Sequence, residues 1–126
     1  MSNIRTGTIS GVNGTDPVTL TKQSAAKVHC TYDCNPSSVL GSYNVSSLTD
    51  NGTGTHTVNM TNAFSGIYYT PATHGKYNST TKGCTVSGTS TSTKTTSALQ
   101  LLAVHGSSLG SVDFNEVNVS MHGDLA

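Results

Sequence analysis

The sequence predicts an all-β protein: an antiparallel β-sandwich, jelly-roll-like, behind an extended N-terminal arm. Three observations carry that expectation. Only 33% of residues are hydrophobic and 10% charged, while Ser and Thr fill nearly a third of the 126 positions. Thr and Val are β-branched and fit a pleated, half-buried surface, whereas long helices draw on Ala, Leu, Glu, Lys and Arg. The apolar residues also fall at alternate positions in short runs, and clusters of Gly, Asn and Asp separate those runs. A chain of this length holds one domain with a modest core. The expected division is an attachment arm over 1–24 and a sandwich over 25–126.

Residues 1–24 contain the turn-like Asn13-Gly14-Thr15-Asp16-Pro17 and no sustained apolar period, so they read as an arm with a short strand near Ile4 to Ile9. Ala26 to Tyr32 alternates, with Val28, Cys30 and Tyr32 on one face and Lys27, His29 and Thr31 on the other. Leu40 to Thr49 and Thr55 to Met60 are β-rich runs joined by Asp50-Asn51-Gly52-Thr53-Gly54, a hairpin signal because Asn and Gly accept positive φ. Its expected inward residues are Tyr43 and Val45 against Val58 and Met60. Gly66 to Thr70 reads as a further strand, ended by Pro71, which has no N–H for a ladder. The polar stretch from Ala72 to Lys82 reads as an exposed loop, and His74, Lys76, Tyr77 and Asn78 are its candidate recognition residues. Strands follow near Cys84 to Thr89, Ala98 to His105 and Val117 to His122. Ser87 to Ser97 is low-complexity and suits either a loop or a solvated edge strand. Ala98 to Val104 suits a fully buried central strand, with a short helix as the alternative.

The chemistry-bearing residues point away from catalysis. Net charge is zero, and the six Lys and Arg are spread along the chain, so the clustered cations of a nucleic-acid interface are missing. No run approaches the length of a membrane span, and the start of the chain lacks the apolar core of a signal peptide, which leads us to expect synthesis in a cytoplasm and no membrane insertion. His29, Cys30 and Cys34 invite a zinc reading, but a closed site needs four ligands and Cys84 stands alone. Cys34 is expected in the Asp33 to Pro36 turn, and a disulfide from Cys84 to Cys30 or Cys34 stays open. The five His, at 29, 56, 74, 105 and 122, accompany no Gly-x-Ser-x-Gly or His-Glu-x-x-His motif and read as strand-surface residues. Asp113 and Glu116 are the nearest thing to a carboxylate pair, and they are a weak one. Six Asn-x-Ser/Thr sequons arise from composition. Of the adjacent Tyr68 and Tyr69, one is expected inward and the other outward, which leaves Tyr77 as the better contact residue. The expectation is a non-enzymatic chain without cofactor or metal.

Several segments resemble a known family. TDPVTLTKQSAAK at Thr15 to Lys27, GSYNVSSLTDNGTG at Gly41 to Gly54 followed by Thr57-Val58-Asn59, and HGDLA at His122 to Ala126 are similar to a family of small virion proteins of tailed bacteriophages, common in aquatic phages. The likeness covers residues 15–62 and the last few. It departs from the family at Val28-His29, where many relatives carry an aromatic residue, and at Cys30 and Cys34. The resemblance implies a structural role on the outer surface of a virion. The implied protein is a homotrimeric tail-fibre or fibre-tip protein that binds other virion proteins and a host-surface glycan. A capsid decoration protein is the alternative. No catalytic residue carries over.

Overall fold

The computed structural model describes residues 25–77, 84–87, 94–106 and 110–126. The expected arm over 1–24, residues 78–83 with Asn78 among them, and the Thr- and Ser-rich stretch 88–93 lie outside the described residues. Among the described residues the chain forms eight strands and no helix: β1 (Val28–Cys34), β2 (Ser37–Tyr43), β3 (Val45–Asp50), β4 (Thr55–Met60), β5 (Thr70–Lys76), β6 (Cys84–Ser87), β7 (Ala98–His105) and β8 (Glu116–His122). They make two antiparallel sheets. Sheet A has the order β2-β1-β8-β5 and sheet B the order β3-β4-β7-β6.

Period-two patterning explains how the sheets pack. Val28, Cys30, Tyr32 and Cys34 of β1 and Val117, Val119 and Met121 of β8 turn inward from sheet A. Val58 and Met60 of β4 and Leu99, Leu101 and Ala103 of β7 meet them from sheet B. Phe64 stacked on Tyr69, with centroids 4.3 Å apart, closes one end, and Phe114 fills the other. Each large apolar side chain removed from water contributes about 1.5–3 kcal/mol, which is the source of the sandwich's stability. β7 is central, as expected, but only its Leu99, Leu101 and Ala103 face is buried, so it is not covered on both sides.

The hairpin is β3–β4, with Leu48 opposite Val58 and Val45 opposite Met60. The apolar run from Leu40 to Thr49 is not one strand. Asn44, at φ 57°, breaks it and carries the chain from sheet A to sheet B. Short polar Asn tolerates this left-handed conformation, and its side chain fastens the crossing: Nδ2 donates to the carbonyls of Lys27 and Asn62, and Oδ1 accepts the Asn62 N–H at 2.7 Å. Tyr43 therefore ends β2, 62% exposed, and is not an inward residue of the hairpin. At the hairpin's tip Gly52 and Gly54 take positive φ, and a Cβ on Gly54 would lie 2.7 Å from the Val112 carbonyl oxygen.

Three more expectations are corrected. Gly66 to Tyr69 is a turn, and the strand begins at Thr70 and runs through Pro71 to Lys76. β5 is the outermost strand of sheet A, where a residue without an N–H does not break a ladder on both sides. The expected recognition loop is thus strand from Ala72 to Lys76. Cys34 is not in the turn but is the last inward residue of β1. Of the tyrosine pair, Tyr69 is buried and Tyr68 is 91% exposed.

Candidate functional site

The strands that build the core on one side of sheet A build a polar surface on the other. His29 and Thr31 of β1 alternate with the buried Val28, Cys30 and Tyr32, so they point to solvent. Asn118 and Ser120 of β8 do the same between Val117, Val119 and Met121. Register then sets them side by side. His29 lies opposite Ser120 on β8 and opposite Tyr43 on β2, and Thr31 lies opposite Asn118 and Gly41. On the far side of β8, Ala72 pairs with Ser120, His74 with Asn118, and Lys76 with Glu116. Between β1, β8 and β5 runs an open groove of about 340 Å³, lined by His29, Thr31, Ala72, His74, Asn118 and Ser120 among others.

The middle of this groove is held in place. Thr31 Oγ1 donates to Asn118 Oδ1 at 2.7 Å, and Asn118 Nδ2 donates to Glu116 Oε1 at 2.8 Å. Its flanks are free: among the described residues His29, His74 and Ser120 have no hydrogen-bond partner for their side chains. Of the four candidate recognition residues, His74 and Lys76 are exposed on this face. Tyr77 is only partly exposed. It is half-buried against the core, edge-on to His105 at 5.5 Å and tilted against Phe114 at 5.9 Å. Reading the sequence missed His29, Thr31, Asn118 and Ser120 as a site. Their outward direction was legible in the alternation, but nothing local said that β1 and β8 are neighbours.

One cluster has the residue types of hydrolytic chemistry. His56 is fully buried, contrary to the surface position expected for it, because it shares the inward register of Val58 and Met60 on β4. That period-two register was available in the sequence. His56 Nε2 lies 2.8 Å from Ser37 Oγ, and Asp50 Oδ2 lies 3.0 Å from the same hydroxyl. In a Ser-His-Asp triad the carboxylate binds Nδ1 and leaves Nε2 free to accept the serine proton. Here Asp50 sits on the Nε2 side, and Nδ1 is buried without a partner. Ser37 has one proton, and the carboxylate is its strongest acceptor, so Ser37 donates to Asp50 and Nε2–H donates to Ser37. An imidazole already donating to the serine cannot deprotonate it. The cluster ties the end of β3 to the start of β2, at the cost of one orphaned nitrogen, about 1–3 kcal/mol.

Several other titratable groups are also engaged within the fold. Asp50 is held below the ordinary carboxylate range by the Gly52 N–H at 2.8 Å, then by the Ser37 hydroxyl. Asp113 accepts the Gly54 N–H at 2.6 Å while Glu116 accepts from Asn118, so these two acids serve separate backbone and side-chain partners. Burial pushes the thiols of Cys30 and Cys34 up to about 11, and both are free. His29 and Cys30 point to opposite faces of β1, which separates two of the three residues of the zinc reading. Among the described residues no group of three or more His, Cys, Asp or Glu is arranged to hold a metal ion. The Cys84 side chain lies outside the described residues. Comparison with protein-family models, with curated proteins and with solved structures finds no match for this chain.

Proposed function

We propose that this chain is a non-enzymatic structural module of a bacteriophage virion, a homotrimeric tail-fibre or fibre-tip protein on the outer surface of the particle that touches glycans of the host surface. The observation that carries the binding part is the groove on sheet A: a mostly uncharged surface with unused donors and acceptors on either side of a fixed amide. A charge-poor, hydroxyl-rich surface suits hydrogen bonding to polyols better than binding to phosphate or to a bilayer. The Ser37–His56–Asp50 geometry supports the non-enzymatic reading. The segment that resembles phage virion proteins supplies the β3–β4 hairpin and the Asn44 crossing, and the virion part of the proposal rests on that resemblance.

A second reading, a capsid decoration protein, is favoured by the character of β2. It is an outermost strand without charge or Pro, and Val39, Leu40 and Tyr43 are exposed on it. Such an edge is suited to pairing with a neighbouring subunit. Labelled antibody on intact particles separates the readings. Label at the tail is the expected result. Label confined to the head replaces the first reading with the second, and particles without label overturn both. Mass photometry is expected to give a trimer, and a stable monomer at working concentration removes that part.

A further inference from the structure

We infer that the groove on the outer face of sheet A binds an uncharged pyranose, with the sugar lying across β1 and β8 and one of its faces against Tyr43. This rests on the reading of the chain as a surface-contact module and names the ligand class of that surface. A pyranose offers a flat face of C–H groups and a rim of hydroxyls, each both donor and acceptor. A site for it needs an aromatic face, a fixed planar donor–acceptor group, and space between them.

Each requirement has a residue. Tyr43 stands directly opposite the groove-lining His29 on the outer face and is 62% exposed, so an aromatic residue open to solvent lies one strand from the groove. Gly41, opposite Thr31, leaves the neighbouring position on β2 without a side chain, and a Cβ there would have nothing within 4 Å. At the middle of the groove, the Asn118 amide spends one N–H on Glu116 and one lone pair on Thr31, which fixes its plane and keeps one N–H and one lone pair for a ligand. His29 and His74 flank it, and each neutral imidazole brings one donor and one acceptor.

Size and charge narrow the ligand further. A groove of about 340 Å³ lies at the small end of ligand sites, which run from about 300 to 1,000 Å³, and so it suits one or two sugar rings. The Glu116 carboxylate beside Asn118 has Lys76 as its cross-strand neighbour, so the pair leaves no surplus positive charge to favour an acidic sugar. A peptide adding as a strand would need a sheet edge, whereas this groove lies on a sheet's face.

Saturation-transfer NMR on the full chain tests the inference with methyl mannoside, methyl galactoside and N-acetylglucosamine as neutral probes and glucuronic acid as the acidic control. At least one neutral sugar is expected to receive saturation and glucuronic acid none. Tyr43→Ala and Asn118→Ala are expected to weaken binding about tenfold or more, equivalent to about 1.4 kcal/mol. On sheet B, Ser47→Ala is expected to leave it unchanged, with circular dichroism verifying the fold of every variant. Absence of binding to all three neutral sugars, preference for glucuronic acid, or full binding by folded Tyr43→Ala and Asn118→Ala overturns the inference. A chain that labels the particle but binds no sugar fails here alone. A chain that binds sugar but is absent from particles fails only the virion reading.

Discussion

The outer faces of the two sheets are built by the same alternation and are both polar, yet they use their hydrogen-bonding groups differently. On sheet B, Asn59 Nδ2 reaches both Ser47 Oγ at 3.1 Å and Thr49 Oγ1 at 2.9 Å, and Thr57 Oγ1 donates to Asn51 Oδ1 at 2.7 Å. Those side chains bond one another across the β3–β4 hairpin. On sheet A the Thr31–Asn118–Glu116 chain is bonded in this way, and among the described residues the side chains of His29, His74 and Ser120 beside it have no hydrogen-bond partner. A face whose polar groups bond each other supports the hairpin under it. A face that fixes one amide and leaves its neighbours open is the one we propose binds a partner. Both hang on one interior, so the interior gives the scale for measuring them.

The largest effect is expected in that interior. Phe114 is fully buried between the sheets, and Phe114→Ala is expected to cost about 3–5 kcal/mol in urea unfolding, with both sheets lost in one transition. Two separated transitions would mean that the faces rest on independent cores, and the comparison would have to be redrawn. Next is the bonded face. Asn59→Ala removes two side-chain bonds from the hairpin and is expected to cost about 1–2 kcal/mol, measured the same way.

A smaller, pH-dependent effect belongs to the hairpin's end. Asp50 is acidified in the folded protein by the Gly52 N–H and the Ser37 hydroxyl. A carboxylate with a lowered folded pKa contributes stability that is present above its unfolded value, 3.8, and lost as pH falls through the folded one. Asp50→Asn is therefore expected to flatten the decline in melting temperature below that value while leaving the slope near neutrality alone. An unchanged acid limb would show that other carboxylates govern it.

Much of this arrangement was legible in the sequence where interactions are local. Alternation gave β1 and β8 with the right residues inward, and Asn51 to Gly54 gave the hairpin turn, whereas the nearly continuous apolar run of β7 read as buried on both faces and is buried on one. What failed was non-local. Tyr43 reads as part of the hairpin until Asn44 is seen to turn the chain at φ 57° into the other sheet. Pro71 reads as a strand's end unless the strand is known to lie at an edge. The groove draws on residues about 90 positions apart, Thr31 and Asn118, and no spacing rule connects them. The proposed virion role rests on resembling segments, and nothing in them says which strands are neighbours.

The smallest stability effect is expected at His74, and it is the most informative about the two faces. His74 is exposed at the edge of sheet A and bonds to nothing among the described residues, so His74→Ala removes no interaction that holds the fold. Its unfolding free energy is expected to stay within about 0.5 kcal/mol of the parent, well below the cost of Asn59→Ala. Sugar binding is expected to weaken in the same variant, because one flank of the Asn118 amide is gone. That pattern, function lost without stability, is what an open face predicts and a bonded face does not. If His74→Ala instead destabilises as much as Asn59→Ala, with binding unaltered in the folded fraction, then sheet A's outer face is structural as well. The distinction between the two faces would then disappear.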